Sequence, residues 1–415
     1  MSSEEMRGKR GVWLIALLAL MVLLASPGVS WSQEGDEDLE DRIEKLEKEM
    51  DGMRSEKERK EKHARGISLG GYGEIHANFV EGRENGNQID LHRLVLFLGY
   101  DFNDWIKFRS ETEIEHAFVA DGDGELVMEQ AYVDLLLSDE VNVRVGRVLV
   151  PMGIVNWKHE PPAFNGVERP SFSKYIIPST WSGDGAGIFG GIGPAITYQA
   201  YALGGMNGSK FSATSGIRSG RIKERPSLNE VAATGRIDIY PFATVANPFG
   251  QLMRVGLSAY GGGIDNGDQG KDPDIKGWME MYSADFEYTI AALDLRGAAA
   301  WTRIDDAEEI GSGLASQIFG WYGEAGLHVW PDQWKKGKLR KSDLVTFARF
   351  DDYDTQFLMP HGVDEDPAGD RQEWTFGMTW FLVPNFVIKA DYQIRENGTD
   401  DELENLVNFG IGWQM

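Results

Sequence analysis

The chain has 415 residues, no cysteine and a formal net charge of −25. The absence of cysteine excludes disulfide bonds, thiolate zinc sites, iron–sulfur clusters and covalently attached haem. The acidic balance argues against nucleic acid as a partner, because a protein that binds nucleic acid carries a basic patch or stripe.

The first residues have the features of an export signal. Three basic residues between positions 7 and 10 precede an unbroken apolar run of fourteen residues, Val12 to Ala25. This run is too short for a comfortable membrane-spanning helix, and a site of small residues follows it. We predict that residues 1–32 are a signal peptide cleaved before Gln33; an uncleaved anchor is the alternative.

Residues 33–66 form a separate charged segment. Its apolar residues recur at spacings of four, three, four and three, which is typical of a coiled-coil seam: Leu39, Ile43, Leu46, Met50 and Met53. We predict a short coiled-coil helix within 36–64 that lies in the periplasm and contacts a partner or the cell wall there. Gly52 weakens the helical pattern, and a charged, partly disordered spacer is the alternative.

Residues 67–415 repeat one pattern, in which a stretch of alternating polarity is followed by a tight turn or a long polar loop. In the last stretch Val407, Phe409 and Ile411 share one face, while Asn408 and Gly410 share the other. Side chains alternate sides along a strand, so one face is apolar and the other is small or polar. Long strands of this kind, with aromatic residues near their ends, indicate a transmembrane β-barrel rather than a soluble sandwich.

The predicted fold class is all-β, a sixteen-stranded antiparallel transmembrane barrel that begins at residue 67. The predicted strands include 105–118, 185–192 and 343–353. Short and long connections alternate along the chain, as they do in outer-membrane barrels, where the short turns are periplasmic. An even number of strands places both ends of the barrel on the periplasmic side.

The charged residues of the third predicted strand indicate that the interior of the barrel is filled with water. Five charged residues share one of its faces: Lys107, Arg109, Glu111, Glu113 and Glu115. A charge in the hydrocarbon centre costs on the order of 2–4 kcal/mol, so this face must point inward. The same reasoning places Arg236 and Arg254 inside. Such charges can pair into ladders that hold the wall, or a subset can set the field that a solute meets.

The longest loop, residues 150–184, is stiff and apolar for an external loop. It contains five prolines and five aromatic residues. A lumen of sixteen strands is wide, so we predict that this loop folds inward and constricts it. Its polar edge is predicted to be Lys158, His159, Glu160, Glu168, Arg169 and Lys174. The alternative is a loop packed over the rim or onto a neighbouring subunit.

Catalytic and metal signatures are absent from the sequence. Gly-x-Ser-x-Gly does not occur, and no Lys-Ser or Lys-Thr follows the glycine-rich stretch at 185–191. Seven histidines are scattered along the chain without the spacing of a helical zinc pair. We therefore predict no catalytic residue, no enzymatic activity, no metal site and no cofactor.

Four segments resemble the porins related to the phosphate-selective porins O and P: Glu129–Asp134, Arg144–Gly153, His159–Pro170 and Ile177–Trp181. The likeness is strongest over 89–206. It implies an outer-membrane barrel of sixteen strands that forms homotrimers, an inward-folded third loop and, in the phosphate-selective members, uptake of anions. In some members it also implies an N-terminal periplasmic extension.

This chain departs from the phosphate-selective pattern, in which arginines form a ladder and lysines a cluster along the channel. Here Lys107 and Arg109 are followed by three glutamates. We expect passive diffusion of small hydrophilic solutes, either anions such as phosphate or mixed ions. The alternatives are a barrel that tethers the envelope through its coiled coil and a sheath for a periplasmic partner. The first positions to test are Arg109, Arg144, Arg169 and Arg236.

Overall fold

The computed structural model describes residues 66–83, 85–117, 124–243, 251–271, 275–311, 313–399 and 403–415. Within these ranges, no helix is both long and apolar enough to cross a membrane. The predicted signal peptide and coiled-coil helix lie outside the described residues. Their assignment therefore stays a prediction.

The described residues form sixteen strands and two short helices. The strands are β1 Gly66–Val80, β2 Gln88–Asp101, β3 Ile106–Glu115, β4 Glu125–Leu136, β5 Asn142–Leu149, β6 Ser182–Ile192, β7 Ile196–Gly204, β8 Val231–Ile239, β9 Leu252–Gly263, β10 Trp278–Ile290, β11 Leu293–Ile304, β12 Gln317–His328, β13 Asp343–Leu358, β14 Asp370–Val383, β15 Phe386–Asn397 and β16 Leu406–Gln414. The helices are α1 Phe172–Tyr175 and α2 Ala307–Ile310. Single 3₁₀ turns lie at Pro161–Ala163, Gly208–Lys210, Arg218–Gly220, Asp268–Gly270, Asp332–Trp334, Gly337–Leu339 and Pro367–Gly369.

The sheet closes on itself, which confirms the predicted antiparallel barrel. Each strand pairs with its sequence neighbours, and β1 also pairs with β16 from Tyr72 opposite Gln414 to Val80 opposite Leu406. Closure leaves no unpaired edge for another chain to join. The connections after even-numbered strands are short turns in most cases, and the longest loop follows β5.

Three strand ends differ from the prediction by three residues or more. β3 stops at Glu115 because His116 and Ala117 adopt left-handed φ values of 54° and 56°, which end the ladder. β6 begins at Ser182, so the loop before it is 150–181. β13 continues to Leu358, because its last residues pair with the start of β12 beyond a register shift.

The two faces of the wall have the predicted alternation. On β2, Leu96 and Leu98 are 48% and 45% exposed, whereas Val95, which precedes them, is fully buried. On β16, Phe409 is 50% exposed and its neighbour Asn408 is buried. The outer surface is therefore apolar, as a lipid-facing surface must be, and the polar groups point into the lumen.

The lumen is not wholly polar, which the alternating pattern alone does not predict. Residues of the 150–181 loop pack against aromatic side chains on the inner wall. The rings of Trp181 and Tyr260 have centroids 4.8 Å apart, and those of Phe172 and Tyr322 are 5.5 Å apart. These side chains belong to one buried apolar cluster. Part of the barrel interior is thus packed like the core of a soluble protein.

Candidate functional site

Residues 150–181, here called the inward loop, lie inside the barrel. Met152, Val167 and Ile176 are almost wholly buried. The wall makes room for the loop at two glycines of β16. A Cβ atom at Gly412 would lie 2.4 Å from Cβ of Pro161, and one at Gly410 would lie 3.1 Å from Val167. Any larger residue at Gly412 would displace the loop.

The ends of the inward loop join β5 and β6, but the loop makes hydrogen bonds to strands on the other side of the lumen. Its donors bind carboxylates of β10, β12, β13, β14 and β15. The pairs are Lys158 Nζ with Glu287 at 2.6 Å, Asn165 Nδ2 with Glu324 at 2.9 Å, the Phe172 amide with Asp351 at 3.0 Å, Ser171 Oγ with Glu373 at 2.6 Å and the Val167 amide with Asp391 at 2.6 Å. The loop therefore crosses the lumen instead of lining one wall.

Cations of the wall bind the backbone of the same loop. Arg296 donates to the carbonyl of Ala163 at 2.8 Å. Lys389 donates to the carbonyl of Phe164 at 2.9 Å. These groups belong to the charged inner face, and they satisfy carbonyl groups that would otherwise be buried without a partner. Many wall charges thus hold the loop in place.

His159 of the inward loop lies between two carboxylates of the wall. Its Nε2 is 3.2 Å from Glu111 on β3 and 3.5 Å from Glu129 on β4. Burial alone lowers the pKa of an imidazole, but hydrogen bonds to the two carboxylates outweigh it and raise the pKa of His159 to about 10. His159 is therefore charged at neutral pH and ties the loop to β3 and β4.

Arg236 and Arg254 are brought together in a buried ion-pair network. Arg236 binds Asp238 at 2.7 Å and Asp285 at 2.8 Å. Arg254 binds the same two carboxylates and also reaches Glu287 at 2.7 Å. Through Glu287 the network meets Lys158 of the inward loop. Three of the predicted positions thus share one chain of contacts.

The charged row on β3 divides into two parts. Lys107 and Arg109 both bind Asp101, at 2.9 Å and 2.7 Å. Glu111 and Glu113 are buried, and Glu113 lies 3.3 Å from the guanidinium of Arg93. The basic end of the row is paired within the wall, and the acidic end lies against the inward loop and Arg93.

The remaining predicted positions have other neighbours. Arg144 binds Asp134 with two hydrogen bonds, of 2.6 Å and 2.9 Å, and its guanidinium lies 3.9 Å from the ring centroid of Tyr132. Arg169 is half-buried and donates to the carbonyl of His159 at 3.0 Å. Glu160 is half-buried, and Lys174 is exposed at the end of α1.

Two cations of this region are more exposed than three of its carboxylates. The side chains of Lys158 and Arg109 are 44% and 36% exposed. By contrast Glu111, Glu113 and Glu129 are each less than 5% exposed. Solvent therefore reaches Lys158 and Arg109 more than it reaches these three glutamates.

Two residues of the site escaped the sequence analysis. Glu129 on β4 lies 3.5 Å from Nε2 of His159, and it is the extra residue of a β-bulge, because Met128 and Gln130 pair with adjacent residues of β3. Asn165 binds Glu324 from within the loop, and no periodic pattern marks a loop residue. Strict alternation along a strand contains no bulge, so neither contact could be predicted from it.

The profile of the phosphate-selective porin O and P family matches residues 69–408. The chain is 34% identical over 367 residues to an uncharacterized protein of Aquifex aeolicus (strain VF5), covering 85% of this chain and 80% of the relative. The chain also resembles solved porin structures at low sequence identity. With the anion-selective porin from Comamonas acidovorans the TM-score is 0.53 at 13% identity, over 85% of this chain and 100% of that one.

The Salmonella typhi OmpF complex with daunomycin gives a TM-score of 0.55 at 12% identity, over 85% of this chain and 98% of that chain. At such identities these two structures show the fold alone. The family match covers more than half of the chain and includes the inward loop and its anchors. This chain therefore belongs to the phosphate-selective porin O and P family, whose members are channels of the outer membrane and not enzymes.

Proposed function

We propose that the chain is a passive diffusion channel for small hydrophilic solutes that prefers anions, such as phosphate, over cations. The observation that carries this proposal is the contrast in exposure between Lys158 and Arg109 and the buried glutamates beside them. Charged groups that line a narrow point set the local field that a passing ion meets, and groups that solvent reaches act on the ion most directly. The inward loop supplies the narrow point.

The first test is the reversal potential across a planar bilayer with a gradient of potassium chloride. An anion-preferring channel gives a potential of the sign set by chloride, and replacing chloride with phosphate measures how the two anions differ. A potential of the opposite sign would overturn the anion preference. A purified protein that carries no current would overturn the channel itself.

Lys158→Gln tests the residue that we place at the narrow point. Loss of this exposed cation should shift the reversal potential toward the cation value and leave the barrel folded. Lys174→Gln is the matched control, because Lys174 is also exposed but lies at the end of α1. Equal shifts in the two variants would remove Lys158 from its proposed role.

The two alternative functions, a sheath for a partner and a tether of the envelope, require different parts of the chain. A partner threaded through the lumen would have to displace the contacts that the inward loop makes with β10 to β15. Tethering of the envelope depends on residues 36–64, which lie outside the described residues. Deleting 36–64 tests it: a tether predicts weakened envelope integrity with transport unchanged.

We also propose, from the family resemblance, that the chain forms homotrimers. The outer faces of β6, β7 and β8 carry small exposed side chains, among them Ala186, Ala200 and Ala233. Small side chains allow two walls to approach closely within a membrane. Ala233→Trp should lower the trimer fraction measured by native mass spectrometry in detergent, whereas Gly323→Trp on the outer face of β12 should leave it unchanged.

A further inference from the structure

Three histidines that are separated in sequence lie close together near one end of the lumen. His76 lies on β1, His92 lies on β2, and His116 follows β3. The rings of His76 and His92 stack with centroids 4.4 Å apart and an interplanar angle of 12°, and the rings of His92 and His116 are 5.2 Å apart. This end of β1 to β3 adjoins the long connections, so it faces the extracellular side.

Two of these imidazoles converge on one carboxylate. Nδ1 of His116 lies 2.5 Å from Oδ2 of Asp90, and Nδ1 of His92 lies 3.5 Å from the same oxygen. The ligand atoms of these three residues all lie within 4.8 Å of one another. The β-bulge between β1 and β2 sets this arrangement: Arg93 and Leu91 pair with adjacent residues of β1, so His92 is the extra residue.

We propose that Asp90, His92 and His116 bind a divalent transition-metal ion such as Zn²⁺. Two imidazole nitrogens and one carboxylate oxygen are a ligand set that zinc accepts, with water in the fourth position. In a tetrahedral zinc site, ligand atoms are about 3.3 Å apart. The contact between His116 and Asp90 must open by less than 1 Å to reach that spacing, and the side chain of His116 is 38% exposed, so solvent surrounds part of it.

The surroundings suit a cation that arrives from the mouth of the barrel. His76 fixes the ring of His92 by stacking, and Glu74 and Glu168 hold His76 at 3.2 Å and 3.1 Å. Arg93 is the nearby cation, and Glu74, Glu113 and Glu115 lie 2.7 Å, 3.3 Å and 3.9 Å from it. Asp90 and His92 are 26% and 22% exposed, so solvent reaches the ligands.

This site differs from the other carboxylate–histidine groups of the barrel. Glu111, Glu129 and His159 also bring their ligand atoms within 4.8 Å, but all three residues are buried where the inward loop meets β3 and β4. His328 lies between Asp294 and Asp343, which bind opposite nitrogens of its ring at 2.8 Å and 2.5 Å. One metal ion cannot reach both of those carboxylates together with the imidazole, so His328 is the matched control.

Calorimetric titration of the full-length protein in detergent with zinc chloride tests the proposal. The protein carries no polyhistidine tag and is first dialysed against a chelator. We expect one zinc ion per chain and at least tenfold weaker binding for the variant His92→Ala/His116→Ala. His328→Ala should bind zinc as the wild type does. The outcome does not depend on ion selectivity.

Two results would overturn the site: a wild-type protein that binds no zinc, or a double variant that binds zinc with unchanged affinity. If the double variant does not fold, Asp90→Asn and His116→Gln each remove one ligand at a partly exposed position, and each should weaken zinc binding. Unchanged affinity in both single variants contradicts the proposal. Loss of binding in His159→Gln alone would assign the metal to the buried group.

Discussion

The two sides of the lumen hold the inward loop by different chemistry. On the side formed by β7 to β13, the loop packs through Phe172, Ile176 and Trp181 into an apolar cluster. On the side formed by β1 to β4, it is held by His159 and Glu168, which bind partners on the wall. The first side combines this apolar cluster with hydrogen bonds to carboxylates such as Glu287 and Asp351, whereas the second side holds the loop by ionic contacts.

The two sides of the lumen differ in how precisely they position the inward loop. Burial of apolar surface is non-directional and tolerates small shifts of the loop. A buried ion pair fixes the position of the loop. Loss of one partner is destabilising, because it leaves the other charge buried without compensation. The ionic contacts with β3 and β4 therefore set the register of the loop more strictly than the apolar cluster does.

Deleting residues 158–175 removes both kinds of contact and should have the largest effect. The lumen of a sixteen-stranded barrel is wide, so single-channel conductance in planar bilayers should rise several-fold. Retained β-structure by circular dichroism shows that the wall still closes. Unchanged conductance in a folded barrel would remove the inward loop from its role as the constriction.

Phe172→Ala weakens the apolar side alone. Phe172 is 1% exposed, and truncation of a buried phenylalanine costs about 3–5 kcal/mol. Urea unfolding in lipid vesicles, followed by tryptophan fluorescence, measures this loss. Phe102→Ala is the control, because Phe102 is 50% exposed in the turn after β2, and its truncation should cost far less.

His159→Gln weakens the ionic side by leaving Glu111 and Glu129 buried without their cation. Breaking a buried pair in this way costs about 3 kcal/mol. The same unfolding measurement applies, and conductance should rise slightly as the loop loosens. Adding Glu129→Gln should recover part of the loss, because it removes one of the stranded charges. Strict additivity of the two substitutions would show that the residues do not interact.

The sequence predicted the apolar outer face of the wall and the charges on its inner face. It did not predict the apolar packing inside the lumen equally well. Alternation on β3 placed Glu111 inside, because a charge cannot face lipid, and the prolines and aromatics of the loop indicated that it folds inward. The apolar cluster was not predicted. Tyr201 and Tyr260 occupy positions of the alternating pattern that face the lumen. Alternation does not show which side chains pack against them there. The meeting of His76, His92 and His116 depends on a bulge and on strand pairing, which a periodic pattern does not contain.

Raising the pH should release the ionic side and leave the apolar side in place. His159 has a folded-state pKa of about 10, above its unfolded value of about 6.5. Its contribution to stability is therefore complete below the unfolded pKa and is lost as the pH rises through the folded pKa. Between about pH 8 and about pH 11 the wild type should lose on the order of 2 kcal/mol more than His159→Gln does.

The comparison with His159→Gln is needed because tyrosines and lysines elsewhere in the barrel also titrate near pH 10. Both proteins share those groups, so the difference between their unfolding free energies isolates the histidine. Phe172→Ala is the second control. It retains His159, so its free energy of unfolding should fall with pH as steeply as that of the wild type, from a lower value at every pH. A parallel loss in wild type and His159→Gln would mean that the ionic side does not depend on the charge of this imidazole, and that Glu111 and Glu129 are stabilised by other neighbours.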